Sequence, residues 1–161
     1  MKNIVIGFST RRGLLSWLIR TVTKSKVSHA YVRIPVPEYE TSMIFQASGL
    51  SVNYCSGELF DSKNLIHQEY EVAVSDEQAK IAERLRVSES GKSYSMNQLY
   101  GFLWVLALRK FGKKVHNPFS DGNHSYVCVE IAADQVGHLD GENMTPEDFR
   151  RWCEKNGKLI N

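Results

Sequence analysis

Tyr126-Val127-Cys128-Val129-Glu130-Ile131-Ala132-Ala133 is the stretch around which the chain is ordered. The polar run Asp121-Gly122-Asn123-His124-Ser125 leads into it. Ser125 has the chemistry of an N-cap, which predicts a helix running to about Val136. Cys128 then falls in the first helical turn, where the positive end of the helix dipole favours a thiolate. A cysteine so placed can attack a carbonyl if a histidine is near enough to take its proton. The alternative is a small apolar residue on the buried face of an amphipathic helix.

The chain has 161 residues, enough for one domain (1–161) with a sizeable core. Hydrophobic residues make up 42% and charged residues 24%, the balance of an ordinary globular chain. The net charge of +2 gives no reason to expect nucleic-acid or bulk membrane binding. Met1 to Phe8 is apolar but short and is followed by Arg11-Arg12, which is not the order of a signal peptide. The longest apolar run, Tyr100 to Leu108, is about half a membrane span, so no transmembrane segment is expected. Cys55, Cys128 and Cys153 are odd in number and widely spaced. That argues against a disulfide framework and a zinc knuckle, and suits a reducing, cytoplasmic compartment.

From the N-terminus, the β-branched run within Lys2 to Phe8 predicts a strand. Leu14, Leu15, Leu18, Ile19 and Val22 predict a helix over Arg12 to Lys24. Val27 to Ile34 is a second strand, ended by Pro35 and Pro37. Ser42–Ala47 and Ser51–Cys55 read as short strands about a turn at Ser48-Gly49, and Leu65 to Val74 as a longer one. The second half is helical: Asp76 to Val87 with Ser75 as cap, Met96 to Phe111, the Cys128 helix, and a last helix opened by Thr145-Pro146-Glu147-Asp148. Leu99, Phe102, Leu103 and Leu106 form an apolar stripe on the second of these. Leu159-Ile160 closes the chain as a short strand. Arg109, Lys110, Lys113 and Lys114 make a basic loop, followed by the polar segment Asn117 to Asn123; this is a solvated loop or one side of a groove.

His29 begins a strand as Ser28-His29-Ala30-Tyr31-Val32-Arg33-Ile34. One strand later, Gln46 is a polar residue in the apolar run Met43-Ile44-Phe45-Gln46-Ala47. If the two strands pair, Gln46 can lie beside His29 on one face and hold its ring in a single orientation. The alternatives are a structural histidine and an edge-strand glutamine facing water. His67, His116, His124 and His138 are rival bases, His124 being the nearest in sequence to Cys128.

The order Ser28-His29-Ala30-Tyr31-Val32, Ile44-Phe45-Gln46-Ala47-Ser48-Gly49 and Tyr126-Val127-Cys128-Val129-Glu130 resembles the circularly permuted branch of the NlpC-type papain-like superfamily, the YiiX-like hydrolases. In that branch the His strand comes first and the Cys helix late. Gly91 to Tyr94 resembles the family's Gly-x-x-Tyr segment, and Thr145 to Phe149 its closing Thr-Pro helix. Cys-Val-Glu stands where Cys-Ser-Glu is frequent, and Gln46 where His is commoner.

The resemblance implies an α+β, permuted papain-like fold. It consists of an antiparallel sheet of about five strands with the nucleophile helix packed on it. It implies a cysteine peptidase or amidase-like hydrolase with Cys128 as nucleophile, His29 as base, Gln46 as orienter and Tyr126 lining the oxyanion site. Glu130 points away from Cys128 and reads as a structural partner. The implied substrate is a peptide, peptidoglycan-type or acyl-lipid amide or ester, handled without metal or organic cofactor. An acyltransferase using the same dyad, or a non-catalytic binding module on the same fold, are the alternatives.

Overall fold

Ile4, Ile6 and Phe8 alternate with Val5, Gly7 and Ser9 along β1 (Lys2–Thr10), and from Ile4 onward both sets are buried. A strand buried on both faces belongs in the interior of a sheet. In the computed structural model, β1 lies between β2 (His29–Val36) and β5 (Leu65–Val74), antiparallel to both. Residues 1–48, 51–92, 101, 128–138, 141 and 144–161 are described. The sheet has six strands in the order β4-β3-β2-β1-β5-β6, every pairing antiparallel, with β3 at Thr41–Ser48, β4 at Ser51–Ser56 and β6 at Gly157–Leu159. The expected count of about five becomes six because Gly157–Leu159 pairs with Tyr70–Val72, one strand beyond the central set.

Strand alternation sorts the side chains between two layers. On one face Ile4, Ile6, Phe8, Ala30, Val32, Phe45 and Tyr70 join residues of three helices. These are α3 (Asp76–Glu89), α4 (Cys128–Gln135) and α5 (Pro146–Asn156). Fully burying Phe8 contributes about 1.5–3 kcal/mol, and its ring meets Tyr70 and Phe149 edge-on. On the other face Tyr31 and Ile44 pack against Phe60 of α2 (Gly57–Lys63).

Local chemistry explains the helix ends. Ser75 accepts from the Gln78 amide, as its cap role requires. Thr145 and Asp148 bond reciprocally in a capping box, with Pro146 in the first turn. The first helix, α1, runs Leu14–Thr23 and starts two residues later than its apolar spacing suggests, because Gly13 sits at a positive φ of 153°. It ends at Lys24, whose left-handed backbone (φ 52°) sends its N–H back to the Arg20 carbonyl. Two elements were not expected: a 3-10 turn at Pro37–Tyr39, and α2, capped by Ser56. Helix α2 is short and holds just two buried residues, Gly57 and Phe60, too few to set a helical period in the sequence. The Met96 to Phe111 helix and its stripe Leu99, Phe102, Leu103 and Leu106 lie outside the described residues.

Gly7 has a packing reason for being glycine: a Cβ there would enter the buried Tyr31 ring. Gly7→Ala is therefore expected to cost about 1–3 kcal/mol, read as a lower urea midpoint at unchanged m-value. An unchanged midpoint would mean that the Tyr31 ring moves aside freely.

Candidate active site

His29 is the first residue of β2 and pairs with Ser9 of β1. Its Nε2 lies 2.8 Å from Gln46 Oε1 on the neighbouring strand. The amide orientation of Gln46 follows from the next strand. Asn53 pairs with Gln46 in the β3–β4 register, and its Nδ2 donates to the Ser48 and Ser51 carbonyls at 3.0 and 2.9 Å. That leaves Asn53 Oδ1 to accept from Gln46 Nε2 at 3.4 Å, and turns Gln46 Oε1 toward His29. A carbonyl oxygen can only accept, so Nε2 of His29 carries the proton and Nδ1 of the neutral ring keeps its lone pair. The His ring is also flanked by Tyr31, at 6.4 Å between ring centres, and Phe60, at 6.2 Å.

Protein atoms enclose the ring, although it keeps some surface. Burial lowers the His29 pKa to about 4; the Gln46 bond opposes this, and the positive charge of Arg11 pushes it further down. The unfolded chain, with a His near 6.5, therefore binds more protons than the folded one between about pH 6.5 and 4. Stability contributed at this residue is full above that window and falls as pH drops through it, by about 3 kcal/mol in total. The urea midpoint of wild type relative to His29→Gln is expected to drop between pH 7 and pH 4; parallel pH profiles would show that the folded ring charges freely.

Cys128 opens the described part of α4 and is buried, with Ala30 and Val129 in the same core cluster. The expected low-pKa thiolate is not what this environment favours. Burial raises the thiol pKa, against the pull of hydrogen bonds from the backbone of Ala30, Val129 and Cys128 itself. Desolvation of the anion outweighs those backbone hydrogen bonds, so thiol and imidazole both rest neutral at pH 7.

Cys128 and His29 reach one cavity of about 440 Å³ from opposite sides of the sheet. Ala30, next to His29, faces α4, while His29 itself shares its face with Tyr31 and α2. The cavity lies at the strand ends, where Ser28, Ala47 and Ser48 also line it, and Arg11 to Leu15 forms its outer wall. Among the described residues no hydrogen bond joins Cys128 to His29. Tyr126, His116 and His124 lie outside the described residues. Of the other rivals, His67 bonds Thr10 Oγ1 at 3.0 Å, and His138 packs on Trp152 and approaches the Met144 sulfur at 3.0 Å. Neither lines this cavity.

Sequence reasoning missed Asn53 and Arg11. Asn53 could have been found as a polar residue at hairpin spacing from Gln46. Arg11 carries no local signal, because the β1–α1 connection alone brings it to the cavity.

No family model matches the chain, and no curated protein matches it. Among solved structures it is similar to the crystal structure of metalloprotein yiiX from Escherichia coli O157:H7. The TM-score is 0.53 at 15% identity, and the match covers 99% of this chain and 96% of that one. The fold is therefore YiiX-like, a mixed α+β architecture. No described helix is long and apolar enough to cross a membrane.

Proposed function

We propose that this chain is a cysteine-dependent hydrolase of the permuted papain-like type, acting on an amide or ester bond through Cys128, His29 and Gln46. The observation that supports it best is the His29–Gln46 hydrogen bond at the rim of a cavity that Cys128 also lines. In this reading the free nitrogen of His29 takes the thiol proton as Cys128 attacks, directly or through one water in the cavity. The S–C bond forms, the carbonyl π pair moves onto oxygen, and the backbone N–H of Cys128, helped by Tyr126, stabilises that charge. The imidazolium then protonates the leaving amine or alkoxide as its bond to carbon breaks. Water, deprotonated by His29, releases the acid and restores the thiol. An acceptor other than water would make the same site an acyltransferase.

The structural neighbour is named a metalloprotein. Among the described residues here, no three His, Cys, Asp or Glu side chains gather as a ligand set. A second reading, a non-catalytic binding module, draws on the raised thiol pKa and on the missing hydrogen bond between Cys128 and His29.

Alkylation separates the two readings. With iodoacetamide at neutral pH and mass-spectrometric readout, Cys128 is expected to react faster than Cys55 and Cys153, and His29→Ala is expected to slow Cys128 alone. Equal labelling of all three cysteines, unaffected by His29→Ala, would leave the binding module as the better reading.

A further inference from the structure

Next to the Cys128 cavity, and sharing Arg11, Arg12, Gly13 and Asn64 with it, is a broader depression of about 890 Å³. Four cationic side chains line it: Arg11, Arg12, Arg20 and Lys63. Among the described residues, no carboxylate lines it and none of the four cations is ion-paired. The net charge of the chain is +2, so this concentration is local and not a reflection of overall composition.

Apolar side chains stand out beside the same cations. Leu14 is 79% exposed, Trp17 54% and Leu65 65%. Among the described residues, helix α1 packs Ile19 with Leu15, Leu18 and Val22, apart from the main core. Leu14 and Trp17 on the same helix are exposed. A soluble phosphate would satisfy the cations and leave the leucines in water. A nucleic acid would use the cations and Trp17, but offers Leu14 and Leu65 no apolar phase. Cations interleaved with protruding Leu and Trp match the boundary of an anionic bilayer, where headgroup phosphates meet acyl chains.

We propose that the surface formed by Arg11, Arg12, Arg20 and Lys63 with Leu14, Trp17 and Leu65 docks on an anionic phospholipid bilayer, which sets the mouth of the Cys128 cavity against the lipid. The cations take the phosphates and the three apolar side chains enter the acyl boundary. This does not depend on the thiol being reactive.

The test is co-sedimentation of the full chain carrying Cys128→Ala, which separates docking from any turnover. Vesicles of phosphatidylcholine with about 30 mol% phosphatidylglycerol are compared with pure phosphatidylcholine. Binding is expected to be more than about tenfold tighter on the anionic vesicles and to weaken in high salt. Arg12→Gln with Lys63→Gln is expected to lose about 25-fold, from roughly fivefold per charge. Trp17→Ala is expected to weaken binding by a factor that salt does not change. Circular dichroism checks that each variant is folded. Equal binding to both vesicle types, or full binding by the Arg12/Lys63 double variant, would overturn the proposal. So would saturable binding of glycerol phosphate or of a single-stranded oligonucleotide without vesicle binding, which would point to a soluble ligand instead.

Discussion

Cys128→Ala and His29→Ala are each expected to abolish turnover of any substrate the protein proves to have, by on the order of 10⁴-fold or more. Under the proposed mechanism nucleophile and base act as one unit, so the double variant should be no worse than either single one. Gln46→Ala should be milder. A neutral amide oxygen places the ring and selects its tautomer but brings no charge to the reaction. The paired measurement is steady-state activity with thermal midpoint. Cys128→Ala should leave the midpoint nearly unchanged, because it removes one sulfur from a site that adjoins a cavity. Full activity in Cys128→Ala would make the thiol structural. Loss confined to His124→Ala would place the base in the segment before the Cys helix and leave His29 without a catalytic role. A Gln46→Ala variant as inactive as His29→Ala, while still folded, would give Gln46 a direct contact with the reacting carbonyl.

The largest expected loss of stability lies at Arg33, on the face of the sheet that also carries His29 and Tyr31. Its Nε donates to Glu69 Oε1 at 2.6 Å and its Nη2 to Asp61 at 2.7 Å, while Tyr31 donates to the same Glu69 oxygen at 2.7 Å. Arg33 is 16% exposed and Glu69 8%. Burial, with the Glu69 carboxylate beside it, pushes the Tyr31 hydroxyl well above the usual phenol range, so it stays a donor. Arg33→Ala would leave Glu69 buried without its cation and should cost about 3–5 kcal/mol. For a chain of this size that is a fall of roughly 6–20 °C in thermal midpoint. Replacing the pair together, Arg33→Met with Glu69→Met, should recover much of the loss, since no buried charge is then stranded. A midpoint in Arg33→Ala within about 2 °C of wild type would mean that water already reaches Glu69.

Much of the fold was legible because its signals are local. The apolar run from Ile4 marked β1, Ser75 and Thr145 marked helix starts by side chains that bond their own backbone, and alternation marked Leu65 to Val74. Helix α2 was not legible: its seven residues are held by Ser56 at one end and by Phe60 packing on Tyr31, a contact from a distant strand. The closing strand was expected at Leu159-Ile160 and forms at Gly157–Leu159, because its bounds are set by pairing with β5 and not by its own pattern.

At the site, the residue types were readable and their electrostatics were not. The sequence alone placed His29 near the start of one strand, Gln46 in the next, and Cys128 early in a helix; the pairing of the two strands came from the structure. Those placements depend on neighbours a few residues away. The tertiary structure alone decided that burial outweighs the backbone hydrogen bonds at Cys128, that the charge of Arg11 acts on His29, and that Asn53 turns the Gln46 carbonyl toward the ring. Charge and desolvation act through space and sum over every element packed around a group, so the order of residues along the chain does not contain them until the sheet has formed.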